Sequence, residues 1–380
     1  MISLNLGEAS AKLRSDFRLW LKSNPPPILQ SDAELSRFVA GSREWQKRLA
    51  GERWIGVHWP EAYGGRGLSL VEEAIVQEML AEANSPQLVG MFGLTMVGPV
   101  LIKHGTEEQK KNYLAKILAA EELWCQGFSE PEAGSDLAAL KTVAAQDGDL
   151  SWRITGQKVW TSFGQYAERC FLLARTDSEV AKHKGLTYFL LPMSSPGITV
   201  RPLMQITGDR EFNEVFFDNT PVSETVGQPG EGWAIAIATL MYERVVLTFQ
   251  RHLQSETALF EIGQILGRQA QDPVKAERFG RLLAKNKAVR ALALSHLYEY
   301  SRGASPGPEG SLDKLFWSET FQEICEFGLS VLGEDVLDGS LPAAAIAQHR
   351  YLYSRGRTIA AGTSEIQRNI IAERVLGLPK

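Results

Sequence analysis

The chain has 380 residues, of which 44% are hydrophobic and 22% charged, and its formal net charge at pH 7 is -5. This length and composition allow two or three domains that bury a large apolar core. The acidic balance and the lack of a dense run of Lys and Arg exclude a general nucleic-acid-binding protein, because phosphate contacts require clustered positive charge.

Cysteine usage and hydropathy indicate a cytoplasmic protein. The three cysteines are odd in number and far apart in the sequence, which favours reduced, buried thiols over a disulfide framework. The N-terminus lacks a basic start followed by a long apolar segment, and the most apolar helical run, at 233–242, is too short to span a bilayer. We therefore predict no membrane segment.

Residues 1–121 are predicted to form a helical domain. Apolar side chains recur at helical spacing near its start, at Leu13, Phe17, Trp20 and Leu21, before three consecutive prolines at 25–27 end the pattern. A second helix is predicted at about 32–49. Thr106 and Gln109 form a capping-box pattern that predicts a further helix through Tyr113 and Ile117.

Residues 122–231 are predicted to form a β domain. Short runs rich in β-branched and aromatic residues occur at 152–155, 158–161, 170–174, 186–191 and 214–217. Turn-forming residues separate these runs, and the links are too short to contain crossover helices. The pattern therefore predicts an antiparallel sheet or a small barrel.

Residues 232–380 are predicted to form a helix bundle. Helical periodicity extends over about 233–268, 274–302 and 312–332, and a last helix is predicted at 364–376 with Ser364 and Gln367 as its cap. The predicted fold class is thus a multidomain α+β chain, with an N-terminal helical domain, a middle antiparallel β domain and a C-terminal helix bundle.

Several common kinds of enzyme site are excluded by motifs that the sequence lacks. No Gly-x-Gly-x-x-Gly follows a predicted strand and no P-loop occurs, which argues against a Rossmann dehydrogenase or a nucleoside triphosphatase. The six histidines never pair at ligand spacing, so no metal site is predicted. The Gly-x-Ser-x-Gly pattern of a hydrolase is also missing.

The stretch at 124–136, Trp-Cys-Gln-Gly-Phe-Ser-Glu-Pro-Glu-Ala-Gly-Ser-Asp, is the most informative part of the sequence. Pro131 ends any regular element, and Ala133-Gly134-Ser135 lets the backbone approach a bulky ligand while it exposes N–H and hydroxyl donors. Such a turn suits a phosphate group or the edge of a flavin. The ordinary interpretation is a polar turn that opens a β domain.

Two further motifs occur together with this turn. Gln157-Lys158-Val159-Trp160-Thr161-Ser162 lies downstream, and Ala361-Gly362-Thr363-Ser364-Glu365-Ile366-Gln367-Arg368 lies near the end. With the three motifs in this order and rough spacing, nearly the whole chain resembles the acyl-CoA dehydrogenase family. The resemblance implies a helical domain, a β domain and a helix bundle that enclose an FAD. It also implies α,β-dehydrogenation of an acyl-CoA thioester to a trans-2-enoyl-CoA.

The resemblance further implies which residues bind the FAD. It places Phe128, Ser129, Gly134 and Ser135 on one side of the cofactor, and Trp160, Thr161 and Ser162 along the isoalloxazine. An indole provides a flat apolar wall, and the N–H and hydroxyl groups that follow can bond the polar ring edge. Thr363 and Glu365 are placed at the start of the last helix, where free N–H groups favour oxygen-rich ligands. The ordinary interpretations are a core tryptophan at 160 and a simple helix cap at 363.

The catalytic base is the first departure from the family pattern. Many members carry a glutamate directly before this Gly-Thr, where this chain has Ala361. Some branches, which act on long or branched acyl groups, carry the base at the position that Glu243 matches. The resemblance thus implies Glu243 as the base and Arg244 as a residue that orients the substrate. A structural ion pair between helices is the alternative for both.

The second departure concerns the part of the cofactor site that the family takes from a neighbouring subunit. The Arg-x-x-Phe-Gly and Gln-x-x-Gly-Gly patterns of the family are replaced here, at 267–273 and 330–334. Arg268 is the nearby cation that could reach the FAD pyrophosphate, which needs compensating positive charge. We therefore predict at least a dimer through the C-terminal helices.

Three functions remain open from the sequence. The first is a self-sufficient acyl-CoA dehydrogenase that passes electrons to an electron-transfer flavoprotein. Its substrate would carry a branched, cyclic or steroid side chain, because Ala361 frees volume beside the flavin. The second is a non-catalytic or half-site subunit that completes the flavin site of a paralogous partner, and the third is a flavin monooxygenase of the same fold. The corresponding assemblies are a homodimer, a homotetramer or a heterotetramer with a paralogue.

Overall fold

The computed structural model describes residues 8–29, 35–149, 151–267, 272–302, 304, 307–338 and 341–379, with side chains for all of them except 9, 243–250 and 301. The chain divides into two compact units that join in sequence between Glu243 and Arg244. Along the chain, helices are followed by strands and then by helices again. This order confirms the predicted fold class.

The N-terminal part of the first unit is helical. Its helices are α1 (Glu8–Ser23), α2 (Leu35–Gly51), α3 (Leu70–Glu82), α4 (Gly98–His104) and α5 (Glu107–Leu118). The predicted capping box of α5 is present, since Thr106 Oγ1 accepts from the Gln109 N–H at 3.2 Å and Gln109 Oε1 accepts from the Thr106 N–H at 3.1 Å. This reciprocal cap satisfies two N–H groups that a helix start leaves free, and it fixes where α5 begins.

A sheet of eight strands, counted over the described residues, follows these helices. Its strands are β1 (Trp124–Gly127), β2 (Val143–Gln146), β3 (Trp152–Lys158), β4 (Arg169–Arg175), β5 (Leu186–Pro192), β6 (Ile198–Leu203), β7 (Phe212–Val222) and β8 (Glu224–Val226). The strand order is β6-β7-β3-β2-β4-β5-β8, with β1 paired to β4. Neighbouring strands are antiparallel as predicted, except that β4 runs parallel to β1 and to β2.

The strand predicted at 158–161 is wrong. One strand, β3, ends at Lys158, and Trp160 has a φ of 60°, in the left-handed region that strand residues do not adopt. Val, Trp and Thr are strong β formers, and for this reason the sequence pattern indicated a strand. The Val159 N–H donates instead to the Ser129 carbonyl at 2.9 Å, so the chain leaves the sheet at this point.

Cys125 and Cys170 are register partners on the parallel strands β1 and β4, so their separation in the sequence is not a separation in space. Cys325 is also buried, and all three are free thiols, as predicted. The hydrogen bond to Cys170, together with burial, raises the pKa of the Cys125 thiol well above its ordinary value. This thiol therefore stays protonated at neutral pH and packs as a small apolar group in the sheet core.

The described part of the chain from Gly232 onward is mainly helical. Its helices are α6 (Gly232–Leu266), α7 (Pro273–Ser301), α8 (Gly310–Leu332), α9 (Pro342–Arg357) and α10 (Ser364–Ile370). Apolar residues of α6, α7 and α8 form a common core, among them Ile262, Leu282 and Phe327. No helix within the described ranges is long and apolar enough to cross a membrane.

Two details of the second unit differ from the sequence predictions. Helix α9 was not predicted, because only Ala344 and Ser354 of this helix are buried and it lacks the apolar stripe that marks a helix in a sequence. The predicted cap of the last helix is displaced by one residue. Thr363 Oγ1 accepts from the Ile366 N–H at 3.3 Å, so Thr363 is the N-cap and Ser364 is the first helical residue.

A largely buried pair of side chains joins α7 to the start of α8. His296 Nδ1 lies 2.9 Å from Asp313 Oδ2, and the two side chains are 15% and 6% exposed. The hydrogen bond to Asp313 raises the pKa of His296 above its ordinary value, although burial opposes the shift. Burial raises the pKa of Asp313, and the hydrogen bond from His296 offsets this only in part.

We expect this pair to make the stability of the chain fall as the pH rises through the neutral range. Both groups hold a proton more tightly in the folded chain than in the unfolded chain, so their contribution is present at low pH and is lost as the pH passes their folded pKa values. A His296→Gln variant keeps a hydrogen-bond donor but does not titrate.

The difference in unfolding free energy between wild type and His296→Gln should therefore shrink by about 1 kcal/mol between about pH 5.5 and about pH 8.5, a small value because His296 keeps some contact with solvent. Thermal melts of both proteins at the two pH values measure this. A difference that stays constant with pH would contradict the assignment.

Candidate active site

Phe128 anchors the end of β1 in the sheet core. Its ring is 3% exposed and packs edge-on against Phe171 and Tyr188, with ring centroids 5.7 and 6.0 Å away. Ser129, which follows, is half-buried, and its carbonyl accepts the hydrogen bond from Val159. The segment at 128–129 therefore lies directly against the end of β3, as expected if both line one ligand.

The turn after Ser129 presents an open polar backbone. Glu130 and Ala133 exchange both backbone hydrogen bonds at 3.1 Å, which closes the turn. Gly134 and Ser135 are exposed, and no heavy atom lies within 4 Å of a Cβ built on Gly134. No contact within the described chain therefore requires a glycine here, and the space beside the turn is open to a ligand.

The loop after β3 holds an exposed tryptophan on a fixed backbone. The Thr161 N–H donates to the Asn213 carbonyl at 3.0 Å, and Asn213 Nδ2 donates back to the Thr161 carbonyl at 2.9 Å. The indole of Trp160 is 59% exposed and meets Phe212 edge-on at 5.8 Å. The ordinary interpretation of Trp160 as a core strand residue is therefore excluded.

The hydroxyl of Thr161 is buried, and the described residues provide it with no hydrogen-bond partner. Thr161 is 0% exposed, so the surrounding chain encloses this hydroxyl and leaves it no opening toward a ligand. Thr161 lies one residue from the exposed indole of Trp160 and is followed by the half-buried Ser162. An apolar wall beside a polar donor and acceptor fits a planar ring with polar edges, such as an isoalloxazine.

A buried ion pair that the sequence analysis missed lies behind these two segments. Lys158 is 0% exposed, and its Nζ lies 2.8 Å from Glu130 Oε1 and donates to the Phe128 carbonyl at 3.0 Å. Burial lowers the pKa of Lys158 to about 8, although Glu130 opposes the shift. The sequence did contain a signal for this pair, because Lys158 stands within a run of strong β formers. A lysine is rarely buried unless it is paired, so its position there indicated a partner.

The C-terminal motif forms a rigid turn in the second unit. Ala361 and Gly362 have φ values of 57° and 91°. The buried Lys314 donates from Nζ to the Gly362 carbonyl at 2.6 Å, and the buried Gln367 donates from Nε2 to the Ala361 carbonyl at 2.8 Å. The backbone that carries the Ala361 methyl group is therefore fixed from two sides.

The start of α10 is already partly satisfied by the chain itself. The Thr363 hydroxyl is used as the helix cap, which confirms the ordinary interpretation of that residue. Glu365 is exposed, and the hydrogen bond from its own backbone N–H holds the pKa of its carboxyl below the ordinary value. Glu365 is therefore ionised at neutral pH.

Three of the predicted residues lie outside what the structure describes. Glu243 and Arg244 belong to α6, but their side chains are outside the described residues, and Arg268 is outside them altogether. The residues at 128–135 and 160–162 belong to the first unit, where Ser129 bonds Val159, whereas Thr363 and Glu365 belong to the second.

Comparison with known proteins finds one family over almost the whole chain. Models described as the N-terminal, middle and C-terminal domains of acyl-CoA dehydrogenase match residues 8–121, 125–220 and 230–376. The chain is 40% identical, over 97% of its length, to acyl-CoA dehydrogenase IpdE1 of Mycolicibacterium smegmatis, of which it covers 98%. It is 43% identical, over 89% of its length, to IpdE1 of Mycobacterium tuberculosis, of which it covers 88%.

Two solved structures are similar over their full length. The ChsE4-ChsE5 complex from Mycobacterium tuberculosis matches with a TM-score of 0.85 and 26% identity, covering 100% of both chains. The Tcur3481-Tcur3483 steroid ACAD matches with a TM-score of 0.84 and 27% identity, again covering 100% of both chains.

Proposed function

The chain belongs to the acyl-CoA dehydrogenase family of FAD-dependent oxidoreductases, and we propose that it removes hydrogen from the α and β carbons of an acyl-CoA thioester to give a trans-2-enoyl-CoA. The observation that supports this most directly is the exposed ring of Trp160, on a loop whose Val159 N–H bonds the Ser129 carbonyl of the other motif. An exposed indole held on a hydrogen-bonded loop fits the flat face of a bound flavin.

We propose that the first unit holds the FAD through the residues that its sequence motifs provide, namely Phe128, Ser129, Gly134, Ser135, Trp160, Thr161 and Ser162. Bound there, FAD supplies the acceptor for a hydride from the β carbon, which no amino-acid side chain can provide. The indole of Trp160 would give the ring an apolar wall, Thr161 would hold the loop in place through Asn213, and the half-buried Ser162 would offer its hydroxyl to a polar edge atom. The exposed backbone at Gly134 and Ser135 offers N–H donors to the remaining polar groups.

We propose Glu243 as the base that takes the α proton and Arg244 as the cation that orients the thioester. Ala361 cannot accept a proton, so the carboxylate must come from another position, and Glu243 is the acidic residue within the otherwise apolar first third of α6. A positioned carboxylate accelerates proton abstraction by about 10²–10⁴-fold. Thr363 and Glu365 are proposed as contacts of the second unit with the cofactor.

The substrate class that we propose is an acyl-CoA with a bulky cyclic or steroid side chain. Ala361 leaves a methyl group where many members of the family carry a carboxylate, and one similar solved structure is described as a steroid ACAD. The test is anaerobic bleaching of the flavin by acyl-CoA esters that range from short straight chains to steroid side chains. Faster bleaching by straight chains would contradict this substrate class.

A half-site subunit is the second candidate, because one similar solved structure is described as a complex of two named chains, ChsE4 and ChsE5. The absorbance spectrum of the purified chain, with FAD measured per subunit, separates the two candidates. About one FAD per chain supports the self-sufficient enzyme, and almost none supports the half-site subunit. For the self-sufficient enzyme we propose an electron-transfer flavoprotein as the acceptor.

We expect Arg268→Ala to weaken FAD binding by about tenfold, the loss of roughly 1.4 kcal/mol that one charge-assisted contact with a phosphate provides. FAD titration of an apo-protein, with light scattering to define the oligomer, measures this. Arg281→Ala is the matched control, since Arg281 is exposed on α7 and pairs with Glu277. Equal FAD affinity of the two variants would assign the phosphate contact to another residue.

A further inference from the structure

Lys158 is a fully buried charge beside the proposed cofactor site, and the proposed chemistry does not use it. Burial lowers its pKa to about 8, so the ammonium ion is held here against the preference of its surroundings. Replacement of a buried ion pair by apolar residues is often neutral or stabilising. Stability alone therefore does not explain why Lys158 and Glu130 are paired at this place.

The contacts of the pair show what it holds together. The Glu130 carboxylate accepts from the backbone N–H groups of Lys141 and Thr142, at 2.6 and 2.8 Å, in addition to Lys158. Lys158 in turn bonds the carbonyl of Phe128. One buried pair thus connects the turn after β1 to the two residues before β2 and to the end of β3.

Trp160, whose indole is exposed, lies two residues after Lys158 in the chain. The backbone of Trp160 has a left-handed φ of 60°, which is unfavourable for a residue with a side chain. This conformation therefore has to be held by contacts on both sides of the loop. Asn213 holds the far side through Thr161. The near side is held by the hydrogen bond between Val159 and Ser129, adjacent to the contacts of Lys158.

We propose that Lys158, held by Glu130, is a positioning residue that fixes the Phe128–Ser129 backbone against the loop of Trp160 and so sets how the isoalloxazine of bound FAD lies against the indole. This inference rests on the proposed function, because it requires FAD to bind at these two segments. Its consequence is specific: loss of the Lys158 ammonium changes the surroundings of the ring more than the amount of FAD that is bound.

The test compares Lys158→Met with Lys141→Met. Methionine keeps most of the volume of lysine without its charge. Lys141 is a matched control because its side chain is 75% exposed and pairs with Glu132, which lies on the turn that contains Glu130. In Lys158→Met we expect FAD content near that of wild type, an altered visible circular dichroism of the flavin, and flavin fluorescence at least about twofold higher, because stacking on an indole requires a defined geometry. Lys141→Met should give the wild-type spectra.

The double variant Lys158→Met/Glu130→Gln carries the same expectation and leaves no unpaired charge, so it replaces the single variant if that one does not fold. Wild-type spectra for the FAD bound to either variant would overturn the inference. The same holds if FAD content and melting temperature fall while the spectrum of the bound fraction is unchanged, which is the signature of a merely structural role. A wild-type chain that takes up no FAD contradicts the proposed function itself, and this result is seen before any variant is made.

Discussion

Replacing Glu243 with glutamine is expected to slow the bleaching of bound FAD by an acyl-CoA by about 10²–10⁴-fold, while FAD content stays that of wild type. Glutamine keeps the shape of the side chain but cannot accept the α proton, so the variant loses a step that occurs only on the way to the transition state. Anaerobic stopped-flow absorbance in the flavin band measures the rate directly.

Glu256→Gln is the matched control for this experiment. Glu256 lies on the same helix α6, and its carboxylate pairs with Lys287 at 3.0 Å, so the proposed chemistry gives it no role. Its substitution should change the bleaching rate by less than about twofold, as expected for a surface ion pair. Bleaching at the wild-type rate in Glu243→Gln, with FAD fully bound, would show that another residue is the base.

Ala361→Glu introduced into a Glu243→Gln background should raise the bleaching rate at least about tenfold above that of Glu243→Gln alone. Members of the family carry the base at either position. Small misplacements weigh heavily in proton transfer, so the recovery should be partial. The local backbone favours the substitution. Ala361 already carries a Cβ at a φ of 57°, so a longer side chain adds little strain, and Gln367 fixes its carbonyl.

The recovery should be largest for short straight-chain acyl-CoA esters, because the new side chain occupies volume that we assign to a bulky substrate. Ala360→Glu in the same background is the control, since Ala360 is the exposed neighbour of Ala361 and receives the same charge. If neither variant recovers activity on any chain length while FAD stays bound, the position of Ala361 takes no part in proton transfer in this chain.

The features that the sequence predicted well are those decided by near neighbours. The cap of α5 needs only Thr106 and Gln109, three residues apart, and it forms as predicted. The burial of Cys125 follows from its apolar surroundings in the chain. The segments at 128–129 and 158–159 meet in space, as the family resemblance implied, but the predicted strands did not indicate this, since none was predicted at 124–127 and the one predicted at 158–161 is wrong.

The features that the sequence did not predict depend on partners far along the chain. Trp160 looked like a strand residue, since its neighbours are β formers and nothing local reveals that Asn213 holds Thr161 outside the sheet. Lys158 can be buried because it pairs with Glu130, 28 residues earlier, and Glu130 has its other partners at 141 and 142. Helix α9 has almost no buried face, so its sequence lacks the regular spacing of apolar residues from which a helix is predicted.

The strand order has a consequence for a chain that is still being synthesised. β3 pairs with β7, which leaves the ribosome after β4, β5 and β6, so the sheet cannot be completed in the order in which its strands appear. Such distant pairing delays closure, because the long intervening segment must first lose conformational entropy. A nascent chain that ends before Phe212 carries both motifs that we propose for the ring, yet it lacks Asn213, which holds the loop of Trp160. The loop of Trp160 is thus expected to take its final conformation only when β7 has been synthesised, later than the residues of the loop itself.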